Sequence, residues 1–448
     1  MKIAILGSGP LGLEAALHFE NLGAQVTIFA NNEIGGMVRR VNEFAPETSL
    51  EHSWSEVTTE LGRSAVNFSE ALEEVPSVGD YFENYLVPLV KKGNSNIVIK
   101  PGQIQRVHKR FLSMDEEVPG KSRLHDLFRV VFSTDPETSI LKQVESNPEV
   151  FEKLGEEVLS SLNESVESFD DFDLVVDATG VFSNSNPLGP SRSLALNENR
   201  IKDSSNIFYG RECFKNFKEV TNSSKNIVLV GTGSLSALLL CELDLWLEED
   251  KSRTVTLVTT ELRPYEKLLE SNDANTLSLL SVDVLKKYYA KLEEDRRQYE
   301  KDLFAWRDLE AHVKVKTPEP KTPVSQLNIV TSSNVTALDK LLDQNGLYVT
   351  LESHSFRKSA TESEEFISTV ACEAIFVCTG HSKTSAIHHG LRVDVDNLSS
   401  LAQESSGSHS EPGYFTLGST VDRKSSLKRG LTQIPEIEKE IMKFFSRA

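Results

Sequence analysis

Hydrophobic positions at the N-terminus change period twice within a short span. Lys2–Leu6 is an apolar run of strand length, Pro10–Leu22 carries apolar residues at helical spacing, and Gln25–Phe29 returns to alternation. Together they predict a βαβ unit. The same order recurs at Asn226–Val230, Ser234–Glu249 and Thr254–Val258, again with a Gly-x-Gly turn between strand and helix. Each half also closes on an apolar strand that runs into Thr-Gly, at Leu174–Gly180 and at Ile375–Gly380. The chain therefore holds an internal repeat at the scale of a domain, and its fold class is read as α/β.

Less regular segments separate these landmarks. Asp135–Asp173 is acidic and partly helical in pattern. Leu279–Glu310 reads as one or two charged helices, with Tyr288, Leu292, Tyr299, Leu303 and Trp306 forming an interrupted apolar stripe suited to packing. Lys314–Ser325, with three prolines, reads as an extended connector, and Ser353–Glu364 and Ser399–Pro412 as polar loops.

Composition narrows the function classes. A chain of 448 residues exceeds one ordinary core, and 39% hydrophobic with 26% charged residues is a globular balance. Sixty-seven acidic against forty-eight basic side chains leave a net charge of -19, which repels nucleic acid and anionic membrane surfaces. The apolar stretch at Met1–Leu6 is too short for a signal peptide, and no later run is long enough to span a bilayer. Cys213, Cys241, Cys372 and Cys378 contain no Cys-x-x-Cys pair, which speaks against a zinc knot or a dithiol redox centre. A reducing cytoplasm is the expected address, no metal is expected, and Cys372 and Cys378 read as small buried hydrophobes on one strand face.

The chemistry begins at Gly7-Ser8-Gly9-Pro10-Leu11-Gly12, directly after a strand and opening a helix. Gly7 makes the tight turn, Gly9 lets the backbone approach a pyrophosphate, and Gly12 lets the helix press on the strand. The helix N-terminus adds amide donors and partial positive charge, so an acidic protein can still hold an anion. With these motifs the chain resembles the flavoproteins with two dinucleotide-binding domains, including thioredoxin-reductase-like and flavin-containing-monooxygenase-like enzymes. The resemblance extends to Gly35-Gly36-Met37, to the domain-joining Ala178-Thr179-Gly180, and through Asn184–Gly189, Asn206–Gly210 and Lys225–Gly233. It implies two Rossmann-like domains, an FAD-binding domain at 1–221 and 372–448 and an inserted NAD(P)-binding domain at 222–371, with a helical insertion at about 279–310.

Several positions depart from the family pattern. Where the family places an acid to grip the adenosine ribose of FAD, the chain has Ala30, followed by Asn31 and Asn32 as alternative hydrogen-bonding groups. Losing that charged acceptor costs about 1.5 to 3 kcal/mol, which weakens FAD binding without excluding it. Where a Gly-Asp usually holds the ribityl chain, the sequence reads Gly418-Ser419. The second fingerprint, Gly231-Thr232-Gly233-Ser234-Leu235-Ser236, ends in Ser rather than Gly or Ala. After the next strand comes Thr259-Thr260-Glu261-Leu262-Arg263, in which the acid would favour NAD and Arg263 would suit the 2′-phosphate of NADP. The register leaves both open, and the resemblance leans to NADP. The monooxygenase signature is poorly matched, with Phe214 and Lys218 in place of its His and Tyr.

Gly120-Lys121-Ser122 ends like a P-loop but lacks its first glycine, and His388-His389 lacks a partner at metal spacing. His381, directly after Thr379-Gly380, is a candidate proton shuttle near a flavin edge, against the reading of a structural histidine. The expectation is an FAD-dependent oxidoreductase that takes hydride from NAD(P)H and passes reducing equivalents to a small-molecule or protein acceptor. The alternative is a catalytically degenerate member acting as nucleotide sensor or scaffold, since Ala30, Phe214, Ser236 and Ser419 each replace a family residue. A homodimer is expected by analogy with the family.

Overall fold

Both βαβ repeats are present in the computed structural model, each inside its own compact unit: Met1–Asn184 with Ser382–Ala448, and Ser185–His381. The structure describes residues 1–31, 34–50, 52–91, 96–114, 122–134, 166–180, 182, 184–204, 206–266, 276–340, 346–356, 363–382, 387, 390–393, 411–418 and 427–445.

In the first unit five parallel strands, β1 (Lys2–Leu6), β2 (Gln25–Ala30), β3 (Ile97–Pro101), β7 (Leu174–Asp177) and β16 (Tyr414–Thr416), lie in the order β16-β7-β1-β2-β3. The central strand is apolar and buried from Ile3 to Leu6 because both of its faces are covered there. On one side, Leu13 and Leu17 of the helix Pro10–Asn21 pack with Ile434, Ile437 and Ile441 of the C-terminal helix Leu427–Phe445. On the other, Ala4, Leu6 and Phe29 meet Val107, Phe128, Val130 and Phe172 of an antiparallel meander, β4 (Gln103–Lys109), β5 (Phe128–Thr134) and β6 (Val166–Phe172).

β6 occupies the C-terminal end of Asp135–Asp173, the segment read as acidic and partly helical. Its acidic residues hid a strand alternation, and Arg129 holds it in register through two bonds to Asp171 at 2.9 and 3.0 Å. Residues 135–165 of that segment lie outside the described ones.

The second unit repeats this wiring. Its parallel sheet contains β8 (Ile207–Tyr209), β9 (Asn226–Val230), β10 (Thr254–Val258), β11 (Leu327–Val330) and β15 (Ala374–Val377), in the order β11-β10-β9-β15-β8. Its meander contains β12 (Ser333–Lys340), β13 (Leu347–Phe356) and β14 (Ser363–Cys372). In both units the chain leaves the meander into a parallel strand beside the first one, β7 beside β1 and β15 beside β9. The fold is thus α/β with two Rossmann-like domains, the second inserted into the first.

Two sequence readings change here. The boundaries fall at 184/185 and 381/382, not at 221/222 and 371/372, because β8 pairs with β15 and β15 with β9, which draws 185–221 and 372–381 into the second unit. The polar loop expected over Ser353–Glu364 begins and ends in paired strand, with Ser353 opposite Phe366 and Phe356 opposite Ser363. Polar strand ends are hard to tell from a loop by composition.

The helical insertion is one long helix, Thr276–Arg307, followed by a turn of helix at Ala311–Lys314. Val284, Leu285 and Tyr288 are buried, and Lys287 reaches Asp244 on the helix Ser234–Glu249 at 2.7 Å. Leu292, Tyr299, Leu303 and Trp306 are only half-buried, so the packing stripe holds at its N-terminal end and fades beyond it. Among the described residues no helix is long and apolar enough to cross a membrane.

Candidate functional site

The first glycine turn is built from contacts that admit no side chain at two of its three glycines. Gly7 has φ +106°, its N–H donates to Phe29 O at 3.0 Å, and a Cβ there would stand 2.6 Å from the Ala178 carbonyl oxygen. A Cβ on Gly12 would stand 2.2 Å from the Gly7 oxygen, the close helix-to-strand approach that the fingerprint requires. Gly9 differs: it caps the helix with ordinary φ −71° and ψ 175°, and nothing lies within 4 Å of where its Cβ would be. That open space at a helix N-terminus, with Pro10 leading the helix, is a cradle shaped for a phosphate.

The other residues singled out in the first unit gather around this turn. The Gly35 N–H donates to Ser8 O at 2.8 Å, and a Cβ on Gly36 would lie 3.3 Å from Gly9 Cα, so the Gly35-Gly36-Met37 segment runs beside the open cradle. Ala178 N donates to Leu6 O at 2.9 Å. Buried Asp177 then shapes the turn through Thr179 and Gly180, accepting from Thr179 N at 2.9 Å and from Thr179 Oγ1 at 2.6 Å. Gly418, at φ +80°, sits where a Cβ would meet Leu11 Cδ1 at 2.5 Å. Ala30 ends β2 and is buried without a carboxylate, while Asn31 is exposed. Asn32, Ser419, His388, His389, Gly120 and Lys121 lie outside the described residues.

The second turn reproduces the first with one substitution explained. Gly231 has φ +108° and its N–H donates to Val258 O at 2.8 Å; a Cβ there would stand 2.2 Å from Cys378 O. Gly233 caps the helix at Ser234-Leu235 and again has nothing within 4 Å of its Cβ position. Ser236 occupies the close-approach position, fully buried, and its hydroxyl donates to Gly231 O at 2.6 Å. With that proton used, Tyr265 OH donates to Ser236 Oγ at 2.9 Å, and burial pushes the phenol of Tyr265 well above its ordinary value. The serine thus turns a tight contact into a hydrogen bond. Ser236→Ala is expected to cost about 1 to 2 kcal/mol in the unfolding transition, because it removes the donor and leaves the buried Tyr265 hydroxyl without its acceptor.

A cleft of about 460 Å³ opens over the C-terminal ends of β9, β10 and β15. Gly231, Gly233, Glu261, Asn186, Thr379 and Gly380 are among its lining residues. Glu261 is held there: Thr232 Oγ1 donates to its Oε2 at 2.9 Å and its backbone N–H donates to Thr259 Oγ1 at 3.0 Å. Arg263 does not line the cleft; its side chain is 74% exposed and reaches Glu266 at 2.8 Å. The neighbouring wall, Leu188 to Ala195, is braced by the buried carboxylate of Glu198. That carboxylate accepts from Leu188 N at 3.0 Å, Ala195 N at 2.7 Å and Tyr209 OH at 2.8 Å. Neither Asn186 nor Glu198 was singled out as a site residue in the sequence: Asn186 lies in the Asn184–Gly189 stretch that carries the family resemblance but had no role attached to it, and a Glu in a short helix carries no motif.

His381 lies beside the turn at Gly210. It pairs with Ser185 in an isolated bridge, does not line the cleft, and sits where a Cβ on Gly210 would come within 3.2 Å of its Nε2. Burial lowers its pKa below the ordinary 6.5. A lowered value means that the unfolded chain takes up the proton first, so the contribution to stability is complete above 6.5 and is lost as pH falls through the folded value. Melting of the wild type should therefore weaken on acidification below pH 6.5 more steeply than melting of His381→Asn, and identical pH profiles would remove this role. Two thiols also rest protonated: burial and neighbouring Cys213 raise Cys378, and burial pushes Cys372 up to about 12. Among the described residues no group of His, Cys, Asp and Glu is placed to hold a metal ion.

The sequence profile of pyridine nucleotide-disulphide oxidoreductases matches residues 2–42, the stretch from β1 past Gly35-Gly36. No curated protein sequence matches the chain. Among solved structures, bacillithiol disulfide reductase from Bacillus cereus is 12% identical, with 100% of each chain covered and a TM-score of 0.53. The FAD-bound cadaverine monooxygenase of desferrioxamine biosynthesis from Erwinia amylovora is 14% identical, with 98% of this chain and 94% of that chain covered and a TM-score of 0.56. Thioredoxin reductase from T. acidophilum is 12% identical, with 98% and 96% covered and a TM-score of 0.51. The chain therefore has the fold of flavoproteins with two dinucleotide-binding domains.

Proposed function

We propose that this protein is an FAD-dependent oxidoreductase that draws reducing equivalents from NAD(P)H and delivers them to a small-molecule or protein acceptor. The observation that carries the reading is the duplicated cradle. In each unit the first glycine, Gly7 or Gly231, is closed off by backbone, as is Gly12 in the first, while the middle one, Gly9 or Gly233, opens on empty space at a helix N-terminus. Gly7–Gly12, Gly35-Gly36 and Ala178–Gly180 would hold FAD, with Gly418 closing the turn at Leu11. Gly231–Ser236 and the cleft beside it would hold the nicotinamide nucleotide. When bound, FAD supplies the redox chemistry, so the protein has only to bind, orient and exclude water.

Glu261 refines the choice of nucleotide. A carboxylate in the cleft beyond the second strand accepts from the adenosine ribose hydroxyls and repels a 2′-phosphate, so the geometry favours NADH over NADPH. Arg263, paired with Glu266 outside the cleft, offers no counterweight. The protonated thiols of Cys372 and Cys378 and the lack of a Cys-x-x-Cys pair favour an acceptor other than a disulfide of this chain. A cytoplasmic address and a homodimer belong to the same reading, the first supported by four free cysteines. Oxidation of NADH by the FAD-supplemented protein, with a quinone or dye as acceptor, tests it. Turnover is expected; nucleotide binding without turnover would favour a sensor or scaffold instead.

A further inference from the structure

Asn186 is held more firmly than its place in a loop requires. It is 5% exposed, its backbone N–H donates to Gly380 O at 2.9 Å, and its carbonyl accepts from Thr379 Oγ1 at 2.9 Å. Its side-chain Nδ2 donates to Thr379 O at 3.2 Å. That last bond fixes the amide orientation, because a flipped amide would set its oxygen against the Thr379 oxygen. Oδ1 is then the remaining atom: it is buried, has no hydrogen-bond partner within the protein, and belongs to a residue that lines the cleft. A buried acceptor without a donor is costly, and beside a ligand cleft it points to a donor on the ligand.

The layout of the cleft says which part of the ligand. Glu261 follows β10, Gly231–Gly233 follow β9, and Thr379-Gly380, to which Asn186 is bonded, follow β15, so the cleft crosses three adjacent strand ends with the phosphate cradle in the middle. The carboxylate side suits the adenosine ribose, which leaves the other nucleoside for the Asn186 side. We infer that Asn186 Oδ1 accepts a hydrogen bond from the nicotinamide-nucleoside half of the dinucleotide, from its carboxamide N–H or a ribose hydroxyl, and so positions that half in the cleft. This rests on reading the cleft as the nucleotide site.

Asn186→Leu keeps the size of the side chain and removes the acceptor. Calorimetric binding of NADH, ADP-ribose and ADP to the full chain is the test. NADH affinity is expected to fall by about tenfold while ADP binding is unchanged, which also shows that the variant is folded. ADP-ribose separates the two donors: its affinity falls with that of NADH if a ribose hydroxyl donates and holds if the carboxamide does. Equal NADH affinity in variant and wild type, or parallel loss for ADP and NADH in a variant that melts cooperatively, overturns the inference. If Asn186→Leu does not melt cooperatively, Asn186→Ala, which retains both backbone bonds, replaces it with the same outcomes. A wild-type protein that binds neither NADH nor ADP removes the nucleotide reading itself, and the inference with it.

Discussion

Gly9→Val is expected to leave the first unit folded and to abolish its binding of FAD. The backbone at Gly9 is extended, with φ −71° and ψ 175°, and the Cβ position has no neighbour within 4 Å, so the fold offers no objection to a side chain there. The change in stability should stay within about 1 kcal/mol, the range of substitutions that break no packing or backbone constraint. The isopropyl group would occupy the space that lets the pyrophosphate reach the helix amides, and FAD affinity should fall at least about a hundredfold, roughly 2.7 kcal/mol. Melting curves with flavin content after loading read both quantities. A variant that keeps its flavin would show that the cradle is only a turn.

Gly12→Ala is expected to do the opposite, damaging the fold first and binding as a consequence. Its Cβ would stand 2.2 Å from the Gly7 carbonyl oxygen and 3.5 Å from Ile5 Cγ2, and the nearer atom is backbone, which cannot rotate away. The helix Pro10–Asn21 would have to lift from β1, disturbing its contacts with Ile434, Ile437 and Ile441. A cost of about 3 kcal/mol or more follows from overpacking against a fixed backbone. Thermal melting measures it, and a wild-type transition in Gly12→Ala would mean that helix and strand are not in this close contact.

The contrast between these glycines shows what was legible in the sequence. Glycine spacing after an apolar strand encodes a backbone requirement directly, so both turns could be read, and β1, β9, β10 and the helix Ser234–Glu249 lie where periodicity placed them. Ser236 looked like a departure because its benefit is a bond to Gly231 O, made by an atom five residues back in the chain. The domain boundary was misplaced because pairing of β8 with β15 is a long-range hydrogen-bonding choice that no local pattern records. β6 was hidden because an exposed strand can carry acids on its open face.

At the sites, the order of Glu261 and Arg263 was plain, but which of them faces the ligand depends on how the chain turns after β10. The structure turns Glu261 inward, where Thr232 grips it. The two cradles thus differ in their ribose contacts. The acid expected beside the first is the buried Ala30, whereas the second has Glu261. Asn186 could not have been found from sequence, since only its bond to Thr379, across most of the second unit's length, reveals which of its atoms is left to a ligand.

The most direct test of the account is the visible spectrum of the purified protein after incubation with FAD and removal of free flavin, recorded before and after NADH is added in the absence of oxygen. Retained flavin bands that bleach with NADH are the predicted result, showing that both cradles are occupied by the cofactors their geometry suits. A protein that stays colourless after exposure to FAD would contradict it.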